Sequence, residues 1–123
     1  MPEVNVVLYE ECDHSVPVLD LLDRLPAEAR ICCLARLELL EQFGHELDRP
    51  HAAYLGEDLY ELRIKFFRVN YRILYFFHGR TVAVLCHGLA KEKTVPKKDP
   101  RTATERMALF RADSDRHTFQ PRE

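Results

Sequence analysis

The sequence has little glycine and no long apolar run, and each absence excludes a class of protein. Its four glycines are scattered along 123 residues, so the chain has no glycine-rich loop to cradle a nucleotide phosphate. No run approaches the roughly 20 apolar residues of a membrane helix. The acidic start MPEVNVVLYEEC does not have the features of a signal peptide. We therefore expect a cytoplasmic protein that does not associate with membranes.

The four cysteines, Cys12, Cys32, Cys33 and Cys86, form no Cys-x-x-Cys pair. Adjacent Cys32 and Cys33 cannot easily bond to each other on a helix, and a reduced chain is the simplest account. Histidines lie close to Cys12 and Cys86, but their spacing fits no common zinc site. We expect no metal ion and no other cofactor.

Length and composition predict one domain with its own core, because 46% of the 123 residues are hydrophobic. We expect this domain to cover residues 1–123, with a flexible tail from about residue 114. The charge is unevenly distributed along the chain. Residues 1–60 hold four Lys/Arg against thirteen Asp/Glu, whereas residues 61–111 hold twelve against four. A basic second half of this kind is typical of a localised phosphate-binding surface.

The basic half begins with three strand-like runs between residues 59 and 94, in which aromatic and β-branched residues alternate with polar ones. A two-residue loop at Gly79-Arg80 would place Arg72 opposite His87. The preceding turn leaves two alternatives: a two-residue loop places Arg63 opposite Arg72, and a four-residue loop places Lys65 there. Either keeps Arg63, Lys65 and Arg72 on one face. Either also sets like charges across the ladder, which is destabilising unless an anion bridges them.

Helical patterns surround these strands. A strand over residues 4–9 precedes a helix that Ser15 caps, and Pro26 opens a second helix that ends at Gly44. A last helix begins with Asp99 as its cap and runs to about residue 113. The apolar arc of the second helix is predicted to hold Cys32, Cys33, Leu37, Leu39, Leu40 and Phe43. Arg36 falls inside that arc, and Arg106 lies on the apolar face of the last helix. For both we expect a structural role, through snorkelling, a buried carboxylate partner or a tether.

The order of these motifs resembles the HigB/RelE superfamily of toxins, most closely its branch of phage-derived proteins. The resemblance rests on Leu25-Pro26 in the helical hairpin, then LYELR, YRILYF and VLCHGLAKEKTVP, and a closing Ala-x-x-Arg. It implies an α+β fold: a twisted antiparallel sheet, two N-terminal helices on one side and a short C-terminal helix. It also implies a metal-independent endoribonuclease that cuts messenger RNA on the ribosome. The implied partner is a cognate antitoxin with a helix-turn-helix.

Carried over residue by residue, the resemblance implies catalytic roles for Arg63 and Arg72. The strand end followed by basic residues matches Lys91 and Lys93, although Glu92 stands where the family often has a second lysine. No C-terminal tyrosine is present to act as a base. This leaves His87 and His117 as candidates for proton transfer. The residues expected to bind RNA are Lys65, Arg68, Lys97 and Lys98.

The chemistry of such a site follows from RNA itself, whose 2′-hydroxyl is a nucleophile that DNA lacks. Cleavage needs a base, an acid and cations that stabilise the developing phosphorane. Two alternatives remain open. One is a ParE-like toxin of the same fold that binds a topoisomerase and cleaves nothing. The other is an inactive module whose basic face only docks an acidic segment of its antitoxin.

Overall fold

The structure is a computed structural model that describes residues 3–90 and 97–120. In these ranges the strands are β1 (Asn5–Leu8), β2 (Ala52–Gly56), β3 (Leu59–Phe66), β4 (Val69–His78) and β5 (Val82–Ala90). The helices are α1 (Pro17–Arg24), α2 (Ala27–Phe43) and α3 (Lys98–Ala112), and a short 3₁₀ turn, Gly44–Glu46, follows α2. Of the helices in the described ranges, none has the length and apolar character to cross a membrane.

The strands form one sheet in the order β1-β5-β4-β3-β2. Strands β2, β3, β4 and β5 pair with one another in antiparallel orientation, whereas β1 runs parallel to β5. The α+β class is confirmed, but the expectation of a wholly antiparallel sheet is wrong. Because β1 continues into two helices and not into a hairpin, no tight turn forces it to run antiparallel to its neighbour.

Helices cover both faces of the sheet. The first core cluster joins α1 and α2 to side chains such as Leu62 and Ile73. The second joins α3 to the opposite face, through side chains such as Leu74 and Phe76. Since successive strand residues point to opposite faces, the polar residues of β3 lie on the α3 side of the sheet. The period of two in the sequence therefore decides which side chains are available for a site.

The predicted ends of the second helix are confirmed, whereas two predicted helix caps are wrong. The second helix starts after Pro26 and ends before Gly44, which adopts a φ of 51°. The prediction that Ser15 caps α1 is wrong, since its hydroxyl donates to Asp13 Oδ1 at 2.7 Å and Val16 precedes the helix. The prediction for Asp99 is also wrong. It lies in the first turn of α3, where its carboxylate faces His87 instead of the helix backbone.

The cysteines are free thiols, and two of them belong to the core. Burial raises the pKa of the Cys33 thiol to about 11 and that of the Cys86 thiol to about 12, so both behave as small apolar side chains. Cys12 is exposed. Phe43, predicted to be in the core, is instead 45% exposed at the end of α2.

The segment expected to form a flexible tail from about residue 114 makes defined contacts as far as Phe119. Thr118 forms a bridge with Tyr9, and the Phe119 N–H donates to the Leu8 carbonyl at 2.9 Å. His117 is buried between them. These bonds extend the sheet beyond β1 and attach the C-terminal segment to it.

The close approach of Gly88 to Leu21 allows the packing between α1 and β5 to be tested. A Cβ atom at Gly88 would lie 2.5 Å from Leu21 Cδ2, and Leu21 is buried in the core. We expect Gly88→Ala to lower the free energy of unfolding by about 1–3 kcal/mol, because the core must shift to admit the methyl group. Urea denaturation measures this loss. Adding Leu21→Ala should offset part of it, and strictly additive losses in the double variant would contradict the proposed contact.

Candidate functional site

The hairpin of β3 and β4 positions two arginines directly opposite each other. Its loop has two residues, Phe67 and Arg68, and Arg63 pairs with Arg72. This is the first of the two registers that the sequence allowed. Lys65 pairs with Asn70, so Arg63, Lys65 and Arg72 share one face as predicted.

Glu61 supplies the negative charge between the two arginines. Its side chain is only 3% exposed, and Oε1 accepts a 2.6 Å hydrogen bond from Arg63 Nε. The Nε of Arg72 lies 3.7 Å from Oε2. Opposed like charges on a ladder repel each other, so a buried carboxylate within reach of both guanidinium groups stabilises their close approach. The anion that the sequence required is therefore present inside the protein.

A pocket opens beside Arg63 and Arg72, at the edge of the sheet next to the start of β2. The register of β2 with β3 reaches only as far as Ala52 opposite Leu62, followed by a bond from the Arg63 N–H to the His51 carbonyl. The pocket has a volume of about 330 Å³. The arginine, lysine and histidine side chains that line it are Arg36, His51, Arg63, Lys65 and Arg72. In this lining, four cations and one imidazole surround a space large enough for a small ligand.

Arg36 reaches the pocket from α2, which the sequence did not predict. Among the described residues its recorded partner is a histidine and not the expected carboxylate: the guanidinium contacts His51 Nδ1. A guanidinium can only donate, so Nδ1 accepts and the proton of a neutral imidazole is on Nε2. We assign this tautomer from the contact. Arg36 is thus a pocket residue, and the structural role expected for it stays a prediction.

The second hairpin departs from the predicted register. His78 pairs with Val82, so the loop has three residues and not two, and a bulge between Leu74 and Tyr75 shifts the register again. Arg72 consequently faces Leu89, and the prediction that it faces His87 is wrong. Because of the bulge, His87 pairs with Leu74 and keeps the same face as Arg72. It is a diagonal neighbour of Arg72, roughly 7–8 Å away between Cα atoms.

Both ring nitrogens of His87 are engaged inside the protein. Its Nε2 lies 2.6 Å from Asp99 Oδ1, and its Nδ1 lies 2.7 Å from Arg106 Nη1. Arg106 also donates to the Cys86 carbonyl at 2.9 Å. Since arginine only donates, the proton of His87 is on Nε2 and is directed at Asp99. This network fastens α3 to β5, so the tether predicted for Arg106 is observed, and His87 is part of the same tether.

His117 lies away from the arginine pair. Its ring stacks on Tyr9, with centroids 5.2 Å apart, and its Nδ1 lies 2.7 Å from the Glu10 carbonyl. Tyr9 directly follows β1, and β5 and β4 separate β1 from β3. At about 4.8 Å per strand this is a distance of roughly 14 Å. The structure therefore does not bring His117 together with Arg63.

Three of the remaining basic candidates are among the described residues. Arg68 is exposed in the hairpin loop, and Lys97 and Lys98 are exposed where α3 begins. Lys91 and Lys93 lie outside the described residues. Within residues 3–90 and 97–120, no group of three or more His, Cys, Asp or Glu side chains could hold a metal ion.

Two pocket residues escaped the sequence analysis for different reasons. Arg36 had a signal, because an arginine inside an apolar helical arc requires an explanation. His51 had none: it stands in a polar connection beside Pro50, and only the fold places it next to the β3 edge. For Glu61, the sequence showed only that it lies two positions from Arg63 in the same predicted strand.

Comparison with known protein families identifies a match. The family model described as "Phage derived protein Gp49-like (DUF891)" matches residues 20–108, more than two thirds of the chain. The matched segment contains α2, all of β2 to β5 and every charged residue that lines the pocket. No curated protein matches the sequence at a significant level.

The charge balance of the pocket can be tested by removing the buried anion. We expect Glu61→Gln to lower the free energy of unfolding by about 1–3 kcal/mol, because the amide leaves two guanidinium groups without their counter-charge. The loss stays below that of a fully buried pair because the Arg63 side chain is 35% exposed. Thermal unfolding measures it, with the exposed Glu105→Gln as the matched control.

Inorganic phosphate gives the second half of this test. An anion that binds the folded state raises the melting temperature, and it should do so more in Glu61→Gln, where no carboxylate opposes it. An equal effect of phosphate on wild type and both variants would contradict an anion site at Arg63 and Arg72.

Proposed function

Because the chain belongs to the Gp49-like family of phage-derived proteins, a toxin–antitoxin-associated family of RelE/HigB-like type, we propose that it is a toxin that cleaves messenger RNA. Cleavage uses the 2′-hydroxyl of the substrate and needs no metal ion. The pocket lined by Arg36, Arg63, Lys65 and Arg72 is the active site.

The observation that carries this proposal is the convergence of four cations on one open pocket. They come from three separate elements, α2, β3 and β4, and strand alternation accounts for the shared face of Arg63, Lys65 and Arg72 but not for the arrival of Arg36. Glu61 offsets only part of the positive charge, so the pocket suits a polyanionic ligand. Guanidinium groups match the paired oxygens of a phosphate.

The reaction is an in-line displacement at phosphorus. The 2′-oxygen attacks the adjacent phosphorus and loses its proton to a base, and the bond from phosphorus to the 5′-oxygen breaks. The leaving 5′-oxygen takes up a proton, so the products are a 2′,3′-cyclic phosphate and a 5′-hydroxyl. Arg63 and Arg72 stabilise the charge that develops on the equatorial oxygens. Glu61 acts as a positioning residue, because it holds both guanidinium groups without lining the pocket itself.

In this scheme His51 is the acid: its Nδ1 accepts from Arg36, so its Nε2–H is the group that can protonate the leaving 5′-oxygen. An imidazole is the side chain suited to exchange a proton near neutral pH, and His51 lines the pocket. His87 and His117 are less suited, because the protein already engages both nitrogens of His87 and His117 is buried beyond β1. Lys91 and Lys93, for which the resemblance implies a catalytic role, add further positive charge in this proposal.

Mutating the pocket arginines tests the site. Arg72→Ala should lower the rate of RNA cleavage on the order of 10²–10³-fold, the usual effect of removing one donor to developing charge. Arg36→Ala should also impair cleavage, whereas a structural arginine would affect stability alone. Cleavage of a reporter messenger RNA is measured during translation and with purified RNA, since dependence on the ribosome is part of the proposal.

Arg80→Ala is the matched control, since Arg80 is exposed in the loop at the opposite end of β4. Full toxicity and unchanged cleavage in Arg72→Ala would exclude this ribonuclease site. The ParE-like alternative, inhibition of a topoisomerase without RNA cleavage, would then be preferred.

The family association suggests an antitoxin as partner, and we propose one with a helix-turn-helix that covers the basic pocket by an acidic or helical segment. Co-expression with the product of the adjacent gene should yield a stable complex and restore growth. If the two proteins do not co-purify and this protein alone causes no growth defect, it is an inactive module.

A further inference from the structure

Among the described residues, the tip of the β3–β4 hairpin continues past the last pairs with the neighbouring strands. On one side, β2 pairs with β3 as far as Leu62. On the other, the last described pair between β4 and β5 joins Tyr71 to Ala90. The hairpin continues and turns at Phe67 and Arg68. We call this end of the hairpin the arm, and its Lys65 and Asn70 line the pocket.

Phe67 occupies this tip in an unfavourable way. Its φ is +55°, a backbone conformation that glycine adopts readily and a bulky residue rarely does. Of the other two β-hairpins, β4–β5 has its positive φ at Gly79, at +65°, and β2–β3 has positive φ at Gly56 and at the polar residues Glu57 and Asp58. Phe67 is also 79% exposed, the highest value among the exposed large apolar residues described. Neither this backbone conformation nor this exposure stabilises the fold, so the presence of an aromatic ring here needs another explanation.

The surroundings of the ring favour a nucleic acid base as its partner. Lys65 lies two residues away, roughly 7 Å along the strand, and Arg68 is adjacent and exposed. The Phe66 ring supports Phe67 at a centroid distance of 4.5 Å and an angle of 57°. An exposed aromatic ring beside phosphate-binding cations is the arrangement with which proteins bind unpaired bases, because every base offers a face for stacking.

We propose that Phe67 is a stacking platform for an unpaired base of the RNA whose phosphate lies in the pocket. This inference rests on the proposed function and deepens it. The arm holds the nucleotide that flanks the cleaved bond, splays it out of the stacked strand and thereby favours the in-line geometry. Stacking on a phenyl ring is tolerant of sequence, so Phe67 contributes affinity and register without selecting a base.

The test measures binding of a fluorescent single-stranded RNA to wild type, Phe67→Ala, Phe67→Trp and Phe67→Gly. We expect Phe67→Ala and Phe67→Gly to weaken binding roughly 5- to 100-fold, the usual effect of losing one stacked base. Phe67→Trp should bind at least as well as wild type. Phe67→Gly should melt at or above the wild-type temperature because glycine removes the strained φ, so its loss of binding cannot be attributed to unfolding.

Two controls separate stacking from charge. Phe43→Ala makes the same change at another exposed phenylalanine, at the end of α2, and should bind RNA like wild type. Lys65→Ala should reduce the dependence of log K on log salt by about 0.7, the value for one phosphate contact on a single strand. Phe67→Ala should leave that dependence unchanged, because a stacked ring releases no counterion.

The outcomes distinguish this inference from the function on which it rests. If wild type neither binds nor cleaves RNA, the proposed function fails. If wild type binds RNA and Phe67→Ala binds it equally well, the platform is excluded and the function stands. If Phe67→Ala keeps RNA binding but no longer co-purifies with the adjacent gene product, the tip is a protein-binding element and the inference is wrong.

Discussion

The cationic pocket depends on one buried carboxylate. Glu61 brings its oxygens to 2.6 Å from Arg63 Nε and 3.7 Å from Arg72 Nε, on a ladder where the two arginines stand directly opposite each other. Two guanidinium groups at that spacing repel each other, and burying them without a counter-charge is costly. Glu61 offsets part of this repulsion, and the four basic side chains that line the pocket outnumber it.

A second constraint fixes the opposite end of the same face. The bulge in β5 brings His87 onto the face of Cys86 and Leu74, where Asp99 and Arg106 hold both ring nitrogens. This network attaches α3 to the sheet through polar contacts beside an apolar cluster. Because each partner is engaged, the histidine that the sequence favoured for proton transfer has a structural role here. His51, in the connection before β2, lines the pocket.

Much of the fold could be predicted because its signals are local. The period of two in β3 and β4 showed that Arg63, Lys65 and Arg72 share a face, and the prolines and Gly44 marked the ends of α2. Predictions of register were less successful, since a loop of three residues instead of two and one bulge moved Arg72 from His87 to Leu89. Neither feature has a distinctive sequence pattern. The parallel pairing of β1 was missed for a related reason, because the contact between β1 and β5 spans most of the chain.

By itself the sequence determined the fold class, the basic face and its two central arginines, because alternation and helix termination depend on neighbouring residues. Only the tertiary structure decided which groups complete the site. Arg36 comes from α2 and His51 from the loop before β2. Both line the pocket, which opens where β3 continues beyond its pairing with β2. Long-range packing also placed His117 against Tyr9. Such juxtapositions depend on how whole elements pack, and packing geometry is a property that no short stretch of sequence encodes.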